Sequence, residues 1–162
     1  MLVRKICAVL ALLGLSFGYS CVAAVQSVSD VGRALEELNT IESRFAAART
    51  NLNHMSRALE GADFDAANGL VLRTGQFYGL FEAAAWLGPV LTRGQCAEDL
   101  QLHQIVFQGA AKSLVKEADI ELDTVNQLLT LIRSPAALAE ATKIRDLMIQ
   151  TRDIYKPLAA KD

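Results

Sequence analysis

The sequence predicts an all-α protein, an antiparallel up-and-down bundle of four helices, or of five if the third one breaks. Three observations lead there. First, 52% of the 162 residues are hydrophobic, but only 6% are aromatic and 3 are proline. Alanine and leucine supply much of the apolar count, and both are strong helix formers. Second, apolar positions recur at steps of three and four, not in the alternation of a half-buried strand. Third, the breaks between periodic stretches are short, which makes consecutive helices antiparallel neighbours. The length leaves room for one domain with a real hydrophobic core.

Residues 1–24 stand apart. "MLVRKICAVLALLGLSFGYSCVAA" has a basic start at Arg4 and Lys5, an apolar run from Ile6 to about Leu15, and Val22 and Ala24 placed for a cut after Ala24. That is the layout of a secretory signal peptide. Lipid attachment at Cys21 ranks below simple cleavage, because Gly18 stands where a leucine-like residue is usual. An uncleaved anchor is a third alternative. All three place the domain, residues 25–162, outside the cytosol: secreted, in a cell wall or in a periplasm. Loss of Arg4 and Lys5 from 16 basic residues leaves 14 against 18 acidic ones, a net charge of −4. Scattered charge of that sign does not suit nucleic acid. Cys96 alone remains of the cysteines. No internal disulfide is then available, and the bundle is held by packing, or Cys96 bridges to another chain. A partly buried free thiol is the favoured reading of Cys96.

The first helix is read from Val31, Leu35, Leu38, Ile41, Phe45, Ala48, Leu52, Met55 and Leu59, whose steps average 3.5. That is the seam of a bundled helix. Ser29 or Asp30 caps its start, Gly61 follows its end, and Arg33, Glu37, Arg44 and Arg57 form its wet face. After the turn "GADFD", Asp63 or Asp65 caps a second helix running to about Leu87, where Gly88–Pro89 ends or kinks it. A third helix starts near Cys96 and keeps its stripe through Leu100, His103, Phe107, Ala110, Leu114, Ala118, Leu122, Val125, Leu129 and Ile132. Unbroken, it spans roughly 55 Å, so a break near Lys116–Asp119 is the five-helix alternative. Ser134 and Pro135 open the last helix as N-cap and first helical residue. Its stripe is Leu138, Ala141, Ile144, Leu147 or Met148, Thr151 and Tyr155, and Pro157 ends it.

Chemistry-bearing motifs are scarce. His54 and His103 fall toward opposite ends of such a bundle, which argues against a shared metal site. Cys96 and His103 are seven apart on one face, but two ligands are too few for structural zinc. His103, on the core stripe, reads as a buried histidine. Met55 or His103 as haem ligands is a minor option, with no C-x-x-C-H for covalent attachment. Glu117, Asp119, Glu121 and Asp123 beside Lys116 read as a solvated face in preference to a catalytic pair. There is no Gly-rich phosphate loop, H-E-x-x-H or G-x-S-x-G. The expectation is a protein that is not an enzyme, with no catalytic residues, metal or cofactor.

The most informative stretch is "FYGLFEAAAWLGPVL", residues 77–91. Fifteen residues reach about 22 Å, short of a hydrocarbon core of roughly 30 Å. Glu82 and Gly88–Pro89 weaken a membrane span further, so the protein is not an integral membrane protein once its signal is cut. The stretch separates into stripes. Gly75, Gly79 and Ala83 make a thin face that another backbone can approach. Tyr78, Glu82 and Trp86 put polar-tipped rings around a carboxylate, suited to a boundary between apolar and wet surroundings. Phe77, Leu80, Phe81, Ala84 and Leu87 remain for the core. The helix is then the central helix of the bundle, or the wall of an apolar site in which Phe77, Tyr78, Phe81, Glu82 and Trp86 bind the ligand.

The stretch "LNTIESRFAAARTNLNHM" (38–55) resembles the first helix of the fungal hydrophobic-surface-binding protein A family, which includes cell-wall galactomannoproteins. The match is Thr40, Ile41, Glu42 and Ser43 on a T-I-(D/E)-S signature, and the late segment "LDTVNQLLTLI" followed by a final helix is similar in plan. The resemblance implies a secreted, non-enzymatic helical bundle that adsorbs to hydrophobic surfaces or binds fatty-acyl ligands. This chain departs from it in being poor in Ser and Thr, richer in Arg, and in carrying Cys96.

The leading expectation is therefore a secreted helical-bundle binding protein that offers an apolar cleft or patch, centred on the second helix, to a lipid-like ligand or hydrophobic surface. The alternative is a bacterial periplasmic protein–protein interaction module, an immunity or secretion-system accessory protein, with no small ligand. Nothing in the sequence sets the oligomeric state.

Overall fold

The structure is a computed structural model. It describes residues 33–34, 36–93 and 97–160, and their side chains outside 88–103. The signal segment 1–24, the cap candidates Ser29 and Asp30, Cys96 and the side chain of His103 lie outside these described residues. Among the described residues there are four helices and no strand. We name them α1 (36–56), α2 (Gly61–Arg93), α3 (Ala97–Leu129) and α4 (Pro135–Ala159).

The seam read along α1 points inward. Leu38, Ile41, Phe45, Ala48 and Leu52 are buried, while Arg33, Glu37, Arg44 and Arg57 lie at the surface. Helix α1 stops at Ser56, one turn before the expected end. There the bonds tighten to the i→i−3 pattern, with Ala58 N–H on Met55 O and Leu59 N–H on Ser56 O, both at 3.0 Å. Gly61, at φ 57°, then turns the chain into α2. "GADFD" is thus the first turn of α2, and the connection is residues 57–60.

Cross-helix contacts give the topology. Glu42 of α1 meets Tyr78 of α2, and Arg49, later in α1, meets the earlier Val71. The two helices are antiparallel. Helix α2 packs along α3 and α3 along α4, whereas α2 and α4 touch at few points and so lie diagonally. Asn51 of α1 donates to Glu140 of α4 at 3.4 Å and closes the square. An antiparallel four-helix bundle is the result.

Three expected boundaries move. Helix α3 runs unbroken through Lys116–Asp119, so the five-helix alternative falls. Its core stripe does not lapse there: Leu114, Ala118, Leu122 and Val125 are all buried. Gly88–Pro89 does not end α2, which continues to Arg93. A proline there removes only one backbone donor, within two turns of the helix end. Pro157 likewise sits inside α4, which ends at Ala159.

Caps are also redistributed. Ser134 and Pro135 do open α4, but the Ser134 side chain makes no capping bond. Asp63 instead holds the backbone just before the helix. Its carboxylate accepts the backbone N–H of Arg133 through Oδ1 and that of Ser134 through Oδ2, at 2.5 and 3.2 Å. The residue expected to cap its own helix α2 instead ties the α3–α4 connection to the start of α2.

The core holds a run of rings despite the low aromatic content. Tyr78 stacks on Phe45 at 5.7 Å, Phe45 meets Phe77 at 5.6 Å, and Phe77 meets Phe81 at 6.4 Å. Phe81 then meets Tyr155 edge-on at 6.5 Å, and Tyr155 meets Phe107 at 6.1 Å. Each such pair contributes about 0.5–1.5 kcal/mol beyond its buried area. All four helices are joined by this run. Buried Thr74 and Thr151 satisfy their hydroxyls on the carbonyls of Leu70 and Leu147, both at 2.8 Å.

A candidate binding face on the second helix

Helix α2 is long and apolar on most sides, so the bundle cannot cover all of it. Ala66, Ala67, Leu70, Thr74, Phe77, Phe81 and Ala84 occupy its inward face. The five residues expected to bind a ligand divide accordingly. Phe77 and Phe81 are 0% exposed and belong to the core. Neither can touch a ligand unless the helices part.

Tyr78 sits at the seam between α1 and α2. Its hydroxyl donates to Glu42 Oε1 at 2.9 Å, and its ring carries the Arg49 guanidinium 5.4 Å from the centroid. Burial, then the bond to Glu42, push its pKa up to about 12. Arg49 donates through Nη2 to Val71 O at 3.1 Å, and its Nε is buried without a partner. Burial pulls the guanidinium's pKa below its ordinary value, and Tyr78 and Glu82 partly restore it. This site is a structural cross-tie between two helices. Sequence reasoning placed Tyr78 and Glu82 on one stripe but missed Arg49 and Glu42, which come from a different helix.

Glu82 and Trp86 are exposed, Trp86 at 78%. Leu72, which sequence reasoning did not single out, is 70% exposed on the same outward face. Between them lie Gly75, Gly79 and Ala83. The thin face is open to solvent at Gly79 and Ala83 and half-covered at Gly75. A Cβ built on Gly79 would meet nothing within 4 Å, and one on Gly75 would meet Arg49 Nη2 at 3.2 Å. The outward face of α2 is therefore a shallow apolar strip with a large side chain at each end. Leu72 to Trp86 spans about 21 Å at 1.5 Å per residue.

A shallow groove of about 520 Å³ lies beside the α4 C-terminus. Val115, Ile120 and Ala159 form its apolar part, and Lys112, Lys116, Asp119 and Asp123 its rim. The acidic run expected to be wholly solvated is split. Asp119 faces Arg152 at 3.3 Å, whereas Glu121 is buried against Arg73 at 3.5 Å with Oε2 unpartnered. Among the described residues no group of His, Cys, Asp and Glu could hold a metal ion. Among the same residues no helix is long and apolar enough to cross a membrane. His54 is at the surface and Met55 is half-buried.

Compared with protein-family models, with curated proteins and with solved structures, the chain matches none.

Proposed function

We propose that the chain is a secreted, non-enzymatic helical-bundle binding protein that works through the outward face of α2, offered as an apolar patch to a hydrophobic partner. One observation carries this reading: Trp86 and Leu72 stand 78% and 70% exposed on one face of one helix, about a strip of Gly75, Gly79 and Ala83 that exposed Gln76 and Glu82 flank. A bundle that buries every other ring it describes except the half-covered Tyr78 and the edge residue Phe64 has no folding reason to leave its tryptophan in water. Burial of Phe77 and Phe81 favours the patch over a cleft between helices. The signal-like segment 1–24 and the resemblance of residues 38–55 to hydrophobic-surface-binding proteins support an extracytoplasmic setting.

Retention of purified protein on an alkyl-coated surface tests it. Replacing Trp86 and Leu72 together by serine should cut retention at least tenfold and leave the melting temperature within a few degrees. Equal retention by both proteins would remove the α2 face from the function.

A further inference from the structure

The order of residues on this face has a symmetry that a general apolar patch does not need. From Leu72 the stripe runs to Gly75, Gly79, Ala83 and Trp86, in steps of three, four, four and three. It reads the same from either end, with Gly79 at its centre. We propose that the occupant of the α2 face is a second copy of this chain, with the two α2 helices antiparallel about a two-fold axis at Gly79. The inference rests on the reading of α2 as the working face and names what binds it.

A two-fold interface uses one patch on both copies, so the patch must complement itself. Placing the axis at Gly79 sets Gly79 against Gly79 and Gly75 against Ala83. It also sets Trp86 of each copy over Leu72 of the other. Thin residues at the centre let the helix backbones approach, and the two large side chains close the ends. Both large residues are exposed, and Gly79 has open space where a side chain would stand.

Charge follows the same symmetry. Glu82 and Gly75 are seven residues apart, so they lie on nearly the same side of α2. Glu82 is three residues after the axis and Gly75 four before it. In the antiparallel pair, the Glu82 of one copy thus falls within one residue of the other copy's Gly75. The Arg49 guanidinium lies over Gly75, with Nη2 3.2 Å from where a Cβ would be. Each interface then brings an exposed carboxylate to a guanidinium twice, both times along the flank of the strip that faces α1. A two-fold axis between antiparallel helices keeps each flank on its own side, and opposite signs there favour this register and direction. One helix pair is small beside the roughly 1,200–2,000 Å² of a standard interface. The dimer should accordingly be reversible and depend on concentration.

Sedimentation equilibrium of the purified protein over a wide concentration range is the test, with emission of Trp86, the sole tryptophan, followed in parallel. The expected result is a monomer–dimer equilibrium with a blue shift on association. Gly79→Leu, whose side chain enters open space in the monomer, should melt no lower than the parent yet weaken association at least tenfold. Trp86→Ala should weaken it similarly. A protein that stays monomeric throughout would overturn the proposal. So would a dimer that Gly79→Leu leaves intact. If the protein stays monomeric and its Trp86 emission shifts on phosphatidylcholine vesicles, the dimer falls and the apolar-face reading stands. If neither vesicles nor self-association shift it, both fall.

Discussion

The Tyr78 hydroxyl shows how a single side chain serves two helices: it stacks on Phe45 and donates to Glu42, both on α1. Its neutral form is the one the fold holds, so its pKa rises from about 10 to about 12. Tyr155, buried among Phe81 and Phe107 with no partner for its hydroxyl, is pushed up by burial alone. A raised acid pKa has a definite sign in stability. The contribution is whole below pH 10, where neither state is ionised. It declines as the unfolded phenol ionises first, and is lost as pH passes the folded value near 12. A phenolate absorbance titration should therefore show Tyr78 and Tyr155 ionising late, close to alkaline unfolding. In Tyr78→Phe only one should ionise late, and urea unfolding should show a loss of about 1 kcal/mol from the missing bond to Glu42. Normal titration of either Tyr78 or Tyr155 would contradict the burial described.

Element by element, the sequence pattern was most legible where a stripe was long. The α1 seam from Leu38 to Leu52 and the α3 stripe from Phe107 to Ile132 are buried almost as read, with Ala111 taking the place of Ala110. Helix ends were less legible, because proline and glycine only bias a boundary. Pro89 and Pro157 each cost their helix one N–H bond to the carbonyl four residues back, yet α2 and α4 continue past them to Arg93 and Ala159. Glycine meaning was the least legible, since spacing gives a face but not its direction. Gly69, Gly75 and Gly79 all lie inside α2, where glycine costs about 0.8–1.0 kcal/mol relative to alanine. Gly79→Ala should recover about that much, because nothing stands within 4 Å of the new methyl. Gly69→Ala should behave similarly, with Leu128 Cδ1 at an ordinary 3.7 Å. Gly75→Ala should recover less, because the methyl meets Arg49 Nη2 at 3.2 Å and the guanidinium must shift from Val71. Chemical denaturation of the three variants ranks them directly.

At the scale of the molecule, the bundle class was readable from composition and short connections, but the ties between distant segments were not. Asp63 looks like a local cap in the sequence, yet it holds the backbone of Arg133 and Ser134, seventy and seventy-one residues away. Asp63→Ala should cost about 1.5–3 kcal/mol, as loss of hydrogen bonds to a charged group does. Hydrogen exchange should quicken first at the start of α4. An effect confined to the first turn of α2 would count against the tie. The candidate face was half legible: Glu82 and Trp86 were picked out, Phe77 and Phe81 proved to be core, and Leu72 was missed as an isolated leucine on a glycine-rich side. The position of Trp86 has one practical consequence. Its indole is nearly as wet in the folded chain as in an unfolded one, so its emission should barely change through denaturation while the helical circular dichroism collapses. Folding of this protein is dark to its own tryptophan, and any colour change in that signal reports company.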